Sequence, residues 1–595
     1  MSHSPIELKD LLQRRQDLTE AIHSSPYLLW NYYLRSKTYA QIGYPDLAIL
    51  DAYKTLLLAD EALDDSGEYH EQVLKELEVV TLFSSAEKSE QPYSDELRDI
   101  IAEVTNASLQ GLDAATFAEA LGVNARVMLV HLLTTMGSLR SAYVFVQQVQ
   151  KADDSLRQLG AVKVAAETDR FYAVVKKHFD DNGITFDRDS ISIDHLPDRV
   201  LVRREIYPWN HHEQDRNTPE ALQLLNTQMS TVSSKLEVKV VELPVLSNDS
   251  DHKSGTSTIK QLGVFAKEDI TPGEEILRER SLLTANARFH EPLCDACSAE
   301  LPSLNGQPDG SDDTHDTNGP VPCENCDDVV FCSNTCHDLA QSLYHPAVCG
   351  TSTESIAKEV PPSEAADALY TLLLLRSLAI SQTQSIHPLD LNEVKYIWGD
   401  FTTPSPFVPN SALTPLENGD AYFSACPRTL PWSFSSNVLL PLHILEKMDL
   451  DIFAPDVPDL AEPWVWSTLL AKFRGTASGR VNPRDGRPEV AAVHPLWCLA
   501  NHSCDPNVQW EWAGEIAFKC REKRVVWKRK NADGEIVVGR EGIAGGIKKG
   551  EEVLNHYVDI DLPVKERREW GAGALGGNCM CERCLWEAGG LNEMT

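Results

Sequence analysis

Asn501-His502-Ser503-Cys504-Asp505-Pro506-Asn507 is the stretch on which the reading of this chain turns. It packs two turn formers, a free thiol and three hydrogen-bonding side chains into one short run. Alone it reads as a capped turn around a buried Cys, because short polar side chains bond their own backbone and Pro fixes φ. Its surroundings ask for more. Upstream lies Gly263-Val264-Phe265-Ala266; downstream lies Gly550-Glu551-Glu552-Val553-Leu554-Asn555-His556-Tyr557-Val558-Asp559, then Cys579-Met580-Cys581-Glu582-Arg583-Cys584. Between the first piece and the heptapeptide stand four ligand pairs: Cys294-x2-Cys297, Cys323-x2-Cys326, Cys332-x3-Cys336 and His345-x3-Cys349. Zinc takes four thiolate or imidazole ligands in a tetrahedron, and a short spacer lets one turn supply two of them. Four pairs therefore make two closed structural sites. Cys579, Cys581 and Cys584 put three more thiols on a short loop, one short of a tetrahedron.

In that order the pieces resemble a SET methyltransferase domain, and the cysteine–histidine array resembles a MYND zinc module, with Phe331-Cys332-Ser333 matching that module's aromatic-Cys-Ser step. The whole is similar to the SET and MYND (SMYD-like) protein-lysine methyltransferases over roughly residues 236–590. The resemblance implies S-adenosyl-L-methionine as methyl donor and a protein substrate with a target lysine, histone tails included. It implies that the Gly263-Val264 loop gives close backbone approach to the donor, that Asn501 bonds its amino-acid end, and that the His502 backbone bonds its adenine. Tyr557 falls at the family's catalytic tyrosine, orienting the amine rather than abstracting its proton, since a Tyr hydroxyl titrates near ~10. In MYND modules the pairs interleave, so Cys294, Cys297, Cys332 and Cys336 would share one zinc, and Cys323, Cys326, His345 and Cys349 a second. Cys504 would complete a third, post-SET zinc with Cys579, Cys581 and Cys584. Three departures stand out. Gln261 replaces the first Gly of the donor loop, Ala544-Gly545-Gly546-Ile547 carries a Gly pair where charged residues are usual, and eleven residues follow Cys584, so the C-terminal helical domain of animal members is expected to be absent.

Composition sets the frame. A chain of 595 residues needs several cores. Hydrophobic content of 42% argues for globular domains, and a net charge of −35 favours cationic partners over nucleic acid. Lys519, Arg521, Lys523, Arg524, Lys528, Arg529 and Lys530 run against that charge; they read as the wet face of a β-hairpin, with a partner patch or targeting signal as alternatives. No secretory signal or membrane-spanning run is apparent, so a nuclear or cytoplasmic location and no membrane contact are expected. None of the 14 cysteines precedes Cys294, which suits local metal sites rather than a disulfide framework; Cys426, Cys498 and Cys520 are left over as buried apolar residues.

The remaining segments fill in an α+β multidomain protein. Residues 1–185 read as a helical domain resembling tetratricopeptide (TPR) repeats, with Tyr39, Gly43, Ala48, Ala52 and Leu56 at the small and aromatic positions of one unit and a weaker echo over Val127–Val149. A connector follows at 186–235; its His211-His212 pair lacks a Cys or a helical partner and is not read as a metal site. The SET N-terminal part spans 236–293, with strands at Leu236–Leu246 and Leu262–Leu277. The MYND finger spans 294–349, with Ser298–Pro322 as an inserted loop. A SET insert spans 350–490 and begins with a helix at Ser363–Ile380. The β-rich catalytic SET core spans 491–562, and the zinc-bound post-SET tail 563–595. The function so read is lysine methylation, with protein partners at the MYND and TPR-like regions. The alternative is a non-catalytic SET/MYND scaffold, transcriptional or chaperone-linked, which Gln261 favours.

Overall fold

The computed structural model describes residues 5–84, 113–151, 161–244, 246, 258–287, 293–302, 319–357, 360–361, 364–401, 428–453, 459–530, 534–575 and 577–589. The expected mobile loop over 247–257, most of the 298–322 insertion, the Pro-rich run from Pro404 to Pro415 and Cys426 lie outside the described residues.

Helices occupy the described part of 5–181. The TPR-like unit forms a hairpin, Leu29–Ile42 then Pro45–Leu63, and Gly43 closes the first helix in the left-handed region at φ 96° while Pro45 opens the second. Gly137 repeats the device at φ 90° between helices Ala114–Met136 and Leu139–Lys151. Among the described residues, one helix is long and apolar enough to cross a membrane, Ala114–Met136; most of it is buried in the helical core, with Leu121, Ala125, Leu129 and Leu133 wholly so.

This helical layer does not stand apart. One hydrophobic core runs from Leu18 through Phe179 into the MYND cysteines and on to Trp464 and Phe473 of the insert. A buried charge cluster crosses the same boundary. Arg35, 1% exposed, pairs with Asp51 at 2.7 Å and Glu462 at 2.8 Å, and Lys54 donates to the Ile452 carbonyl at 2.7 Å. Tyr27 adds a bond to Asp451 and Tyr32 one to the Phe453 carbonyl. Asp451, Ile452, Phe453 and Glu462 of the same chain thus pack against these helices.

Beyond residue 181 the described residues form fourteen short strands with helices between them. β1 (Val200–Arg203) pairs with β8 (Arg428–Trp432), so the connector carries a strand, and it also carries the helix Pro219–Val232, capped by Thr218. β2 (Leu236–Pro244) and β3 (Thr258–Ala266) form the hairpin read from alternation. β4 (Glu275–Glu279) joins β11 (Val508–Trp512) and β12 (Ile516–Cys520), while β5 (Thr284–Asn286) joins β9 (Ser478–Val481) and β10 (Pro488–Ala492). β6 (Val321–Pro322) and β7 (Val330–Phe331) form a short hairpin beside Cys323 and Cys332. β13 (Trp527–Lys530) and β14 (Ile536–Arg540) form a hairpin that carries Lys528, Arg529 and Lys530 of the basic stretch, while Lys519 lies in β12 and Arg521, Lys523 and Arg524 precede β13, so its reading as one wet face is only partly right. Lys528 and Lys530 are exposed, but Arg529 lies 4.8 Å over the Trp586 ring and Arg540 pairs with Asp505. The insert helix runs Ala365–Gln384 and is buried over most of its length, its Arg376 reaching back to Asp295 at 3.2 Å.

Candidate functional site

The heptapeptide is bonded to a segment some fifty residues downstream. Asn555 N–H donates to the Asn501 carbonyl and Ser503 N–H to the Asn555 carbonyl, both at 2.8 Å. Asn507 accepts from Leu554 N–H at 2.7 Å and donates its amide to the Glu552 carbonyl at 2.8 Å. The same downstream segment meets β3 on its other side: Val553 N–H donates to the Val264 carbonyl at 2.7 Å and Ala266 N–H to the Glu551 carbonyl at 3.0 Å. Residues 550–557 are therefore threaded between β3 and the heptapeptide, which is how three distant motifs reach one place.

They meet on a cavity of about 490 Å³. That is within the ~300–1,000 Å³ span of ligand pockets. Asn501, His502, Tyr557, Gln261, Leu262 and Glu552 line it from the SET side, Trp398, Asp400, Gly475 and Thr476 from the insert, and Leu575, Cys579, Met580 and Cys581 from the tail. Asn501 donates its amide to the Leu262 carbonyl at 3.0 Å and to Glu552 at 2.7 Å. Burial raises the Glu552 carboxyl above its ordinary range, and the Asn501 bond works against that rise. A Cβ on Gly263 would lie 2.7 Å from Glu552 Oε1 and 3.2 Å from Asn501 Nδ2, so only Gly lets β3 approach this pair. Val264 faces the core, fully buried, rather than the cavity.

Tyr557 donates its hydroxyl to the Ala500 carbonyl at 2.9 Å, and burial pushes its ionisation well above the ordinary range. A hydroxyl so held keeps its proton. The Tyr557 N–H donates to His502 Nδ1 at 3.0 Å. Burial also keeps that imidazole neutral, its pKa lowered to about 4, so the ring proton sits on Nε2, 3.4 Å from Cys504 Sγ. His502 thus connects the tyrosine's backbone to the third cysteine cluster, the kind of outer contact that fixes a metal ligand's orientation.

Three groups of four ligands come together. Cys294, Cys297, Cys332 and Cys336 form one, Cys323, Cys326, His345 and Cys349 the second, and Cys504, Cys579, Cys581 and Cys584 the third, with ligand atoms in each within 4.8 Å of one another. Sulfur separations of 3.7 Å for Cys297–Cys332, 3.5 Å for Cys332–Cys336 and 3.9 Å for Cys504–Cys579 suit thiolates arranged around one tetrahedral ion with Zn–S near ~2.3 Å. His345 Nε2 lies 3.2 Å from Cys323 Sγ. Ser333 caps the helix Asn334–Leu343 by accepting from Cys336 N–H, which gives the Phe-Cys-Ser step its physical job: it starts the helix that presents Cys336.

Several residues were not legible as site residues. Glu279 is 4% exposed and accepts from Leu496 N–H at 3.0 Å and Trp497 N–H at 2.7 Å, anchoring the turn that leads into Asn501. Burial raises its pKa to about 7. The folded chain therefore holds this proton more tightly than the unfolded chain, and the stability present below pH ~4.5 is lost as pH rises through about 7. Glu279→Gln should remove that loss: its urea stability relative to wild type should climb by a few kcal/mol, on the order of 1.4 per pKa unit, between those pH values. A constant difference across the range would show that Glu279 does not titrate there. Cys498 is not a plain core residue; it is only half-buried and lines the cavity, whereas Cys520 is buried as expected. The Gly545 departure has a steric cause, since a Cβ there would sit 1.6 Å from the Arg521 carbonyl oxygen where the two segments cross. His212, by contrast, does meet His387 and Asp459. The two imidazoles stack in parallel at 3.7 Å, 4° apart, so their in-plane lone pairs lie in separate planes and do not converge on one ion.

Comparison with known proteins finds similarity to a histone-lysine methyltransferase and to a SET and MYND domain protein. No family model matches the chain. It is 37% identical over 101 residues, 17% of each chain, to the histone-lysine N-methyltransferase ATXR2 of Arabidopsis thaliana. It is 24% identical over 290 residues to a SET and MYND domain-containing protein of Dictyostelium discoideum, covering 44% of this chain and 47% of that one. The chain thus spans less than half the length of the curated relatives it matches.

Proposed function

We propose that this protein is an S-adenosyl-L-methionine-dependent protein-lysine N-methyltransferase. One observation carries the reading: the heptapeptide, the 550–557 segment and the third cysteine cluster all reach the same cavity, although the heptapeptide begins 235 residues after β3 ends and the other two lie further on. The donor, when bound, supplies the methyl as a sulfonium electrophile. What the chain does is position and desolvate. Asn501 and Glu552 meet the donor's polar end. Leu499, Leu554 and Leu575 give the cavity apolar walls, which favour the neutral amine that a lysine must present. Tyr557 holds its hydroxyl at the Ala500 carbonyl and orients that amine without taking its proton. Zinc at the three clusters staples the MYND module and the tail; with four protein ligands each the sites are closed and take no part in the chemistry.

The test is transfer of labelled methyl from S-adenosylmethionine to core histones and to a whole-cell extract by the zinc-loaded chain. Label in a discrete band supports the reading and sizes the substrate. No label, together with no binding of the donor, overturns it in favour of a scaffold. The pocket assignment has its own check: Asn501→Ala should weaken S-adenosylhomocysteine binding by about tenfold or more, the cost of unpairing Glu552 and losing a charge-assisted bond. Unchanged affinity would move the donor elsewhere.

A further inference from the structure

Arg216 stands at the wall of the cavity and belongs to none of the motifs above. It comes from the connector, just before the helix Pro219–Val232. It is 9% exposed. Every other buried arginine among the described residues has a carboxylate partner: Arg15 and Arg35 have Glu462, Arg204 has Asp400, Arg376 has Asp295, and Arg567 and Arg583 share Glu587. Arg216 has no salt bridge among the described residues. Its bonds go to neutral acceptors, the Tyr396 carbonyl at 3.2 Å and the Gln261 side chain at 2.9 Å, and its guanidinium lies 4.7 Å over the Trp398 ring. The carboxylates that act on its charge, Glu213 and Asp215, are engaged elsewhere, Glu213 with Lys472 at 2.8 Å and Asp215 with the Asn217 backbone.

A cation removed from water is costly, and neutral acceptors and a ring face offset that cost less than an anion does. The guanidinium is rigid, keeps N–H groups beyond the two already used, and lines a cavity of ligand size. Gln261, the departure from the family's donor loop, is what holds it there. Glu552 lines the same cavity, so a ligand carrying both an ammonium and a carboxylate finds an opposite charge for each.

We propose that Arg216, fixed by Gln261 and stacked on Trp398, is the carboxylate-binding residue of this cavity. The proposal rests on the methyltransferase reading and deepens it. The carboxylate comes either from the amino-acid end of the donor or from an acidic side chain beside the target lysine.

The experiment titrates zinc-loaded full-length protein with S-adenosylhomocysteine and with its decarboxylated counterpart. Wild type should favour the carboxylate-bearing form by about tenfold or more, and Arg216→Gln should bring the two within about twofold by weakening only that form. Gln261→Ala should narrow the gap in part, and carries the test if Arg216→Gln fails to fold. A second arm titrates lysine peptides with Glu or Gln beside the lysine, in the presence of S-adenosylhomocysteine. Loss of a Glu preference in Arg216→Gln, with the nucleoside gap intact, places the carboxylate on the substrate. Folded variants that match wild type in both arms overturn the assignment. If wild type binds neither nucleoside, the methyl-donor reading itself fails, and the role of Arg216 falls with it.

Discussion

Cys504→Ser should leave two zinc ions per chain where three are expected in the wild type, and should open the cavity. The segment that carries Cys579, Cys581 and Cys584 has almost no core of its own. Its buried apolar cluster is Cys504, Val558, Cys579 and Cys584, and three of those four are the ligands themselves. Burying a handful of side chains stabilises by roughly 1.5–3 kcal/mol each, whereas a structural zinc contributes on the order of 10 kcal/mol or more to small domains. An ion bound at this cluster would therefore decide whether the tail is ordered. Arg583 bonded to the Cys504 carbonyl at 2.7 Å and Arg567 paired with Glu587 at 2.6 Å remain in the variant, but they tie charged side chains and enclose little apolar surface. Because Leu575, Cys579, Met580 and Cys581 form one wall of the cavity, the expected result has three readouts. Elemental analysis should fall from three zinc to two. Limited proteolysis should cut within 563–589. Affinity for S-adenosylhomocysteine should drop by about tenfold or more, while the two MYND clusters keep their metal. Three zinc retained in the variant, or two in the wild type, would remove the Cys504 site.

Tyr557→Phe should lower the rate of methyl transfer by about a hundredfold, with donor affinity changed less than about twofold. Removing one hydroxyl loses the bond to the Ala500 carbonyl, worth roughly 1 kcal/mol of stability. The larger effect is on the reaction, where misplacing the amine by about 1 Å can cost ~100-fold. The pH profile supplies a second sign. Since burial raises the Tyr557 hydroxyl above its ordinary range, any rise in rate up to pH ~10 belongs to deprotonation of the lysine and should persist, on a lower baseline, in the variant. Single-turnover transfer of labelled methyl measures both. A rate within about threefold of wild type would show that the hydroxyl does not orient the amine.

How legible the site was depended on whether its chemistry is local. Ligand pairs announce themselves because a turn of two or three residues must present two zinc ligands at once; eleven metal residues were read from such spacing and Cys504 from the family resemblance, and all twelve fall into three four-ligand groups. Gly263 was marked as a close-approach position, and the approach is real, though to Glu552 and Asn501. Val264 followed from motif position and points into the core instead. Glu279, Arg216 and Glu552 had no local signal, because what makes each one matter is a partner more than 40 residues away or a charge left unpaired after folding. Gln261 was read as a defect in the donor loop; in three dimensions it is a hydrogen-bond acceptor for Arg216.

By itself the sequence determined the chemistry on offer: which thiols and imidazoles can share an ion, where the chain turns, which segments are helices, and that the heptapeptide and Tyr557 belong to one kind of site. Those properties depend on spacing of a few residues and on side-chain type. Tertiary structure alone decided which surfaces meet. It threaded residues 550–557 between β3 and the heptapeptide, closed the cavity with Trp398, Thr476, Leu575 and Cys579, and laid Asp451, Ile452, Phe453 and Glu462 against the N-terminal helices. The physical reason is that burial, desolvation and charge pairing are properties of neighbours in space. A chain read in one dimension carries each partner but not their meeting.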